Sequence, residues 1–107
     1  MPVIARFTYR IQAGRLDEFR AKLRASAGPQ FNSAQMPQAI RFYRNVVPGA
    51  GLDTWVMDIE YANFASYGAR TDFEHSQPAW AAIWGIKTDS PEQLLGVELL
   101  EQIDPFA

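Results

Sequence analysis

The sequence predicts an α+β sandwich: one four-stranded antiparallel sheet with its helices on a single side. Three observations carry that prediction. Residues 3–11 alternate apolar and polar and run straight into a glycine turn and an amphipathic helix. A pair of strands comes next, and a second helical region then leads into a last strand, so the chain reads β-α-β-β-α-β. Strands one, three and four each carry an apolar face, which one layer of helices can cover.

Strand one spans Val3–Ile11. Val3, Ala5, Phe7, Tyr9 and Ile11 point one way, and Ile4, Arg6, Thr8 and Arg10 the other. Gly14 starts the turn. Leu16, Phe19 and Leu23 then recur at helical spacing, with Asp17 and Glu18 in the first turn and Arg20, Lys22 and Arg24 later, the order that suits the helix macrodipole. Glu18 and Lys22 are expected to pair along the helix, contributing about 0.2–0.5 kcal/mol. Gly28-Pro29 ends the helix, and residues 27–38 read as a polar loop with room for one short helical turn and a candidate lid role. Strand two covers residues 39–47. Pro48-Gly49-Ala50-Gly51 makes a loose hairpin connection to strand three, residues 53–61, with Trp55, Met57, Ile59 and Tyr61 on one face. Asn63 caps a helix over residues 64–74. Pro78 opens a short helix over residues 78–85, with Trp80, Ile83 and Trp84 inward. Ser90-Pro91-Glu92 reads as a turn, and strand four covers residues 94–104, with Val97, Leu99 and Ile103 on one side. Two β-α-β halves of this kind give a ferredoxin-like arrangement.

Composition narrows the function classes. The 107 residues fit one domain, and 48% hydrophobic content with seven Phe and three Trp supports a packed core. A chain this short still buries only ~65% of its unfolded surface, so a partner subunit would help. The net charge of −2 with scattered basic residues argues against nucleic acid as a partner. Absence of Cys excludes disulfides, thiolate catalysis and Cys-ligated metals, and a single His excludes a His-rich metal site within one subunit. Neither a signal peptide nor a transmembrane segment is read, so no membrane partner is expected and the cytoplasm is the expected compartment. No phosphate-cradling glycine loop and no nucleophile elbow occur, which removes nucleotide-dependent and serine-hydrolase chemistry. No cofactor is expected.

Helices on one face leave the other face of the sheet bare. That face carries Ile4, Arg6, Thr8, Arg10, Val56, Asp58, Glu60, Glu98 and Leu100. Strand two adds either Arg41, Tyr43 and Asn45 or Ile40, Phe42 and Arg44; both sets are mixed, and the parity stays open. Strand one lies between strands three and four in this topology, so its arginines face carboxylates from both neighbours. A face half apolar and internally ion-paired suits burial against a copy of itself, two sheets closing into a barrel. The competing reading is a solvated face with ordinary ion pairs.

Residues 9–19 (YRIQAGRLDEF), 53–61 (DTWVMDIEY) and Pro78-Ala79-Trp80 resemble the NIPSNAP-like branch of the dimeric α+β barrel superfamily. Phe7 stands where that family carries Arg, and Ala13 where it carries Pro. The resemblance implies a homodimer with one pocket per subunit between the sheet and the helices. Its cousins include cofactor-independent antibiotic-biosynthesis monooxygenases, small isomerases and lyases, and haem-degrading enzymes. The strand-one Asn of the haem-degrading members has no counterpart here, because Phe7 and Tyr9 occupy that face.

Among chemistry-bearing residues, His75 has the only side chain whose ordinary pKa lies near neutrality, and Asp72, three residues earlier, shares its helical face. Together they are the candidate acid–base pair; the competing role for His75 is to cap a helix C-terminus. Tyr9, Trp55, Tyr61 and Tyr67 are candidate pocket liners for an aromatic ligand, against a plain core role. Arg41, Tyr43 and Asn45 are a candidate trio for a carboxylate or enolate, against interfacial ion pairing with Glu60 or Asp58. Phe73, Trp80 and Trp84 read as core. Asp58 and Glu60 share a face but sit opposite arginines that keep both ionised, so glycosidase chemistry is rejected.

Two functional readings result. One is a small cofactor-independent monooxygenase or isomerase acting on an aromatic or polyketide-like compound, which requires an open pocket reached by His75. The other is a non-enzymatic NIPSNAP-like binding module, which predicts a pocket filled by Trp55, Phe73, Trp80 and Trp84. A third, structural role in a larger assembly has nothing in the chain for or against it.

Overall fold

The computed structural model describes residues 1–47 and 54–107. Its elements are β1 (Val3–Ile11), α1 (Leu16–Ser26), a 3-10 turn (Pro29–Phe31), β2 (Ala39–Arg44), β3 (Thr54–Tyr61), α2 (Phe64–His75), α3 (Pro78–Trp84) and β4 (Glu92–Glu101). The sheet is antiparallel throughout and ordered β2-β3-β1-β4, the ferredoxin-like arrangement expected. The expected Pro48–Gly51 connection and the start of strand three at Asp53 lie outside the described residues. Among the described residues, no helix is long and apolar enough to cross a membrane.

Local chemistry accounts for the element ends. Gly14 adopts φ +80°, a conformation only glycine takes without strain, and it turns the chain from β1 into α1. Asn63 caps α2 through its Oδ1, which accepts the Ser66 amide at 2.8 Å. Strand two stops at Arg44, three residues early, because Asn45 Oδ1 folds back to accept the Val47 amide at 3.0 Å. Strand four is shifted toward the N-terminus of its expected span. It begins at Glu92, which pairs with Ile11, and ends at Glu101, which pairs with Val3; one residue further out Gln12 donates to the Pro91 carbonyl and Gln102 to the Pro2 carbonyl, and neither proline has an N–H to return the bond. The turn before it accordingly lies at Thr88-Asp89, not at Ser90-Pro91-Glu92. A bulge opposite Thr8 and Tyr9 takes up one extra residue at Leu95.

The register settles the parity of strand two. Ile40 pairs with Ile59, Phe42 with Met57 and Arg44 with Trp55, so these three face the helices. Arg41 and Tyr43 therefore lie on the bare face. The core forms on the helix side, with Val3, Ala5, Tyr9, Ile11, Met57 and Tyr61 buried from the sheet and Phe19 from α1. An aromatic chain runs through it: Tyr9 edge-on to Phe19 at 5.1 Å, Phe19 stacked on Phe42 at 5.6 Å, and Phe42 stacked on Trp55 at 5.2 Å.

Polar contacts fix the loop after α1 and pattern the bare face. Arg70, only 3% exposed, ties that loop to α2: it donates to the Phe31 carbonyl, to Ser33 Oγ at 3.1 Å and to Glu74 at 2.9 Å. The segment expected as a candidate lid is thus anchored at its centre. On the bare face, Glu98, Arg6, Asp58 and Arg41 stand in one row across β4, β1, β3 and β2. Arg6 forks onto both Asp58 oxygens at 2.8 and 2.9 Å, and Arg41 reaches Glu60 at 3.2 Å. The bond to Asp58 also raises the Arg6 pKa above its ordinary value. Arg10 stands opposite Thr54 and Gln93 across the strands.

Candidate functional site

The most concentrated chemistry lies at one end of the sheet, where α1, α3 and the start of β4 meet. Lys22 does not pair with Glu18 as its spacing suggests. It reaches across from α1 to Glu92 on β4, with its Nζ 2.9 and 2.7 Å from the two carboxylate oxygens. Glu18 is held by Arg15 instead, at 2.6 and 3.0 Å. The Lys22 and Glu92 side chains are only 17% and 9% exposed, so this is a largely buried ion pair, and removing either partner is expected to cost about 3 kcal/mol. The Lys22 ammonium also lies 5.2 Å from the centre of the Trp84 ring, a cation–π contact, and Trp84 packs edge-on against Phe19 at 5.7 Å.

Two more groups complete the cluster. Tyr9, buried beside Ile11, has its phenol pKa pushed up by desolvation and further by the negative charge of Glu92. It stays protonated, and so able to donate a hydrogen bond, through the neutral range. Trp84 Nε1 is buried without an acceptor, the one such side-chain atom among the described residues. An unmet buried donor costs free energy that a ligand can recover. Trp84, Glu92 and Leu94, with Arg10, Gln12 and Lys87, line an open cavity of about 630 Å³. A shallower cleft of about 470 Å³ lies on the other side of the same connection, lined by Arg15, Lys22 and Asp89 among others.

The residues singled out from the sequence fall in different places. His75 ends α2 and is exposed; Asp72 is exposed as well, and neither lines either cavity. Tyr9 and Trp55 belong to the aromatic chain of the core. Tyr61 and Tyr67 meet edge-on at 5.4 Å in a second core cluster with Val3 and Ala5. Burial raises the Tyr61 phenol, and the nearby Glu74 charge adds to that. Arg41 and Tyr43 are on the opposite face of the sheet, so the sheet itself separates them from the other four aromatic candidates. Of the expected set, only Tyr9 lies close enough to feel the Glu92 charge, and it too lines neither cavity. Trp80 packs edge-on against Phe31 at 5.2 Å and Trp84 against Phe19, so both are core neighbours as expected, while Trp84 also faces the cavity.

Sequence reasoning missed Lys22, Glu92 and Trp84 as site residues. One signal was available. Lys22 lies three residues after the inward-facing Phe19, which puts it on the flank of the buried helical stripe, where a lysine needs a partner.

No family model matches the chain, and no curated protein matches it. Solved structures do. An uncharacterized NIPSNAP domain protein from Burkholderia xenovorans superposes with a TM-score of 0.63 at 20% identity, covering 100% of this chain and 98% of that one. A candidate antibiotic biosynthesis monooxygenase from Bordetella bronchiseptica has a TM-score of 0.59 at 15% identity, covering 95% and 97%. A dimeric ferredoxin-like protein from an uncultured marine organism has a TM-score of 0.58 at 14% identity, covering 94% of each chain. At these identities the likeness is one of fold.

Proposed function

Starting from a fold shared with NIPSNAP domain proteins and monooxygenase-like proteins, we propose that this chain binds a small organic molecule in the cavity beside Trp84 and Glu92. The observation that carries the proposal is the largely buried Lys22–Glu92 pair packed against Trp84: Glu92 and Trp84 line the cavity, and Lys22 holds Glu92 from the cleft behind. Charges and donors taken out of water at a surface opening are the groups a binding site assembles. The cavity volume of about 630 Å³ accommodates a bicyclic ligand.

The enzymatic form of this reading is a cofactor-independent monooxygenase or isomerase acting on an aromatic or polyketide-like compound. Both reactions open with loss of a proton from an activated carbon. Glu92, which lines the cavity, is the group that accepts that proton in this reading, with Lys22 holding the carboxylate. A second reading, a non-enzymatic binding module, is favoured by one observation: His75 and Asp72 both stand in solvent. Self-association through the bare sheet face belongs to both readings, supported by the charge row and by the dimeric relative of the same fold.

The test is a screen for tight ligands followed by product analysis. In the enzymatic reading a ligand is converted, Glu92→Gln lowers turnover by at least 100-fold, and His75→Ala changes it less than threefold. A ligand bound with micromolar affinity and recovered unchanged establishes the binding module. A His75→Ala defect larger than that of Glu92→Gln would move the chemistry to α2 and contradict the site.

A further inference from the structure

Met36 sits in the loop that Arg70 fastens to α2, and its thioether belongs to that network. Sδ accepts from two donors, the Ser33 amide and Arg70 Nη1, each 3.3 Å away. Arg70 is buried, yet Met36 itself is 43% exposed, so solvent reaches the outer end of a closed polar cluster. We infer that Met36 is a site of oxidation by a hydroperoxide, and that its sulfoxide tightens the loop instead of releasing it. In the reaction the sulfur attacks the terminal peroxide oxygen. The S–O bond forms as the O–O bond breaks, the hydroxyl proton passes to the departing oxygen, and water or an alcohol leaves. Sulfur loses the two electrons that the peroxide gains.

A methionine sulfoxide ordinarily loosens a protein because it puts a polar group among apolar neighbours. Here the new oxygen enters beside two N–H donors, so either sulfoxide epimer has one within reach. Arg70 gains most. Its Nη1 carries two hydrogens for three acceptors, the Phe31 carbonyl, Ser33 Oγ at 3.1 Å and the Met36 sulfur, and the thioether is the weakest of them. Ser33 Oγ, 3.8 Å from Sδ, has the nearer Gln35 carbonyl at 3.0 Å to donate to. The guanidinium lies 5.1 and 5.5 Å from the ring centres of Phe73 and Trp80, out of water, with Glu74 as its ion-pair partner at 2.9 Å. A buried cation strengthens the bond to any oxygen it meets, so replacing a sulfur acceptor by an oxygen one fastens the loop more firmly. The other two methionines are references for the reaction: Met1 is exposed at the N-terminus and Met57 is buried in the core.

The experiment treats the whole folded chain with hydrogen peroxide, maps sulfoxide by peptide mass spectrometry, and follows cleavage within residues 29–38 by a protease of broad specificity. Met36 is expected to convert after Met1 and well before Met57. Once it has converted, the loop should be cut at least threefold more slowly, and a methionine sulfoxide reductase should restore the original rate. Met36→Leu keeps the bulk without an oxidisable sulfur, so peroxide should leave its cleavage rate unchanged. Met36→Gln supplies a permanent carbonyl acceptor and should resist cleavage without any peroxide. Faster cleavage of the Met36 sulfoxide would overturn the inference, as would conversion of Met57 ahead of Met36. A peroxide effect on the loop that persists in Met36→Leu would assign the change to another residue and overturn it too.

Discussion

At the scale of single residues, burial decides more than residue type. His75 is the side chain whose ordinary pKa suggests catalysis, yet it is Lys22 and Glu92 that the fold takes out of water. Glu74 shows the same competition in measurable form. Burial holds its carboxyl pKa above the ordinary 4.5, and the opposing attractions of Arg70 and His75 do not cancel that. The folded chain therefore holds this proton more tightly than the unfolded chain does. Its contribution to stability is fully present below 4.5 and is lost as pH rises through the raised folded value. Glu74→Gln keeps the acceptor for Arg70 and removes the titration. The stability of the variant relative to wild type, read from urea unfolding, is expected to improve between pH 4.5 and pH 7. A difference that stays flat or moves the other way would show that Arg70 outweighs desolvation at this site.

At the scale of elements, what was legible in the sequence is what local chemistry controls. The alternation in residues 3–11, the Gly14 turn, the Asn63 cap and the Pro78 helix start are each set by neighbours within four residues, and each appears where expected. The elements that moved answer to a partner or a turn that their own periodicity does not show. Strand four follows the reach of β1, and strand two ends where Asn45 turns back on its own backbone. Lys22 is the sharpest case. The helical spacing to Glu18 is correct, but a partner 70 residues away in the chain captures the ammonium. No spacing rule sees that partner. The same holds for Arg70 and the loop it anchors. Arg70→Met keeps the bulk against Trp80 but strands the Phe31 carbonyl and Glu74. It is expected to cost about 3 kcal/mol and to expose residues 29–38 to proteolysis. Cleavage at the wild-type rate would mean the loop is held by Phe31 packing alone.

At the scale of the whole molecule, the chain is a slab 18 Å thick, with its helices on one side and a patterned sheet on the other. The row Glu98, Arg6, Asp58, Arg41 alternates in sign across all four strands. A copy related by a two-fold axis along the strands reverses the row, which sets every charge over its opposite; an axis along the row would set like on like. Self-association in the first geometry makes a specific prediction. Arg41→Glu and Glu98→Arg should each weaken the dimer at least tenfold in sedimentation, and the double variant, whose row is again self-complementary, should recover most of the loss. Additive weakening in the double variant would reject this pairing. The central claim, that ligand binds beside Trp84 and Glu92, has its most direct test in the three indole N–H resonances of Trp55, Trp80 and Trp84, assigned by Trp→Phe variants. Saturation with a ligand found by the screen is expected to shift the Trp84 resonance, since Trp84 lines the cavity, with Trp55 and Trp80 little changed. A saturable ligand that shifts Trp55 or Trp80 and leaves Trp84 in place would put the site elsewhere in the molecule.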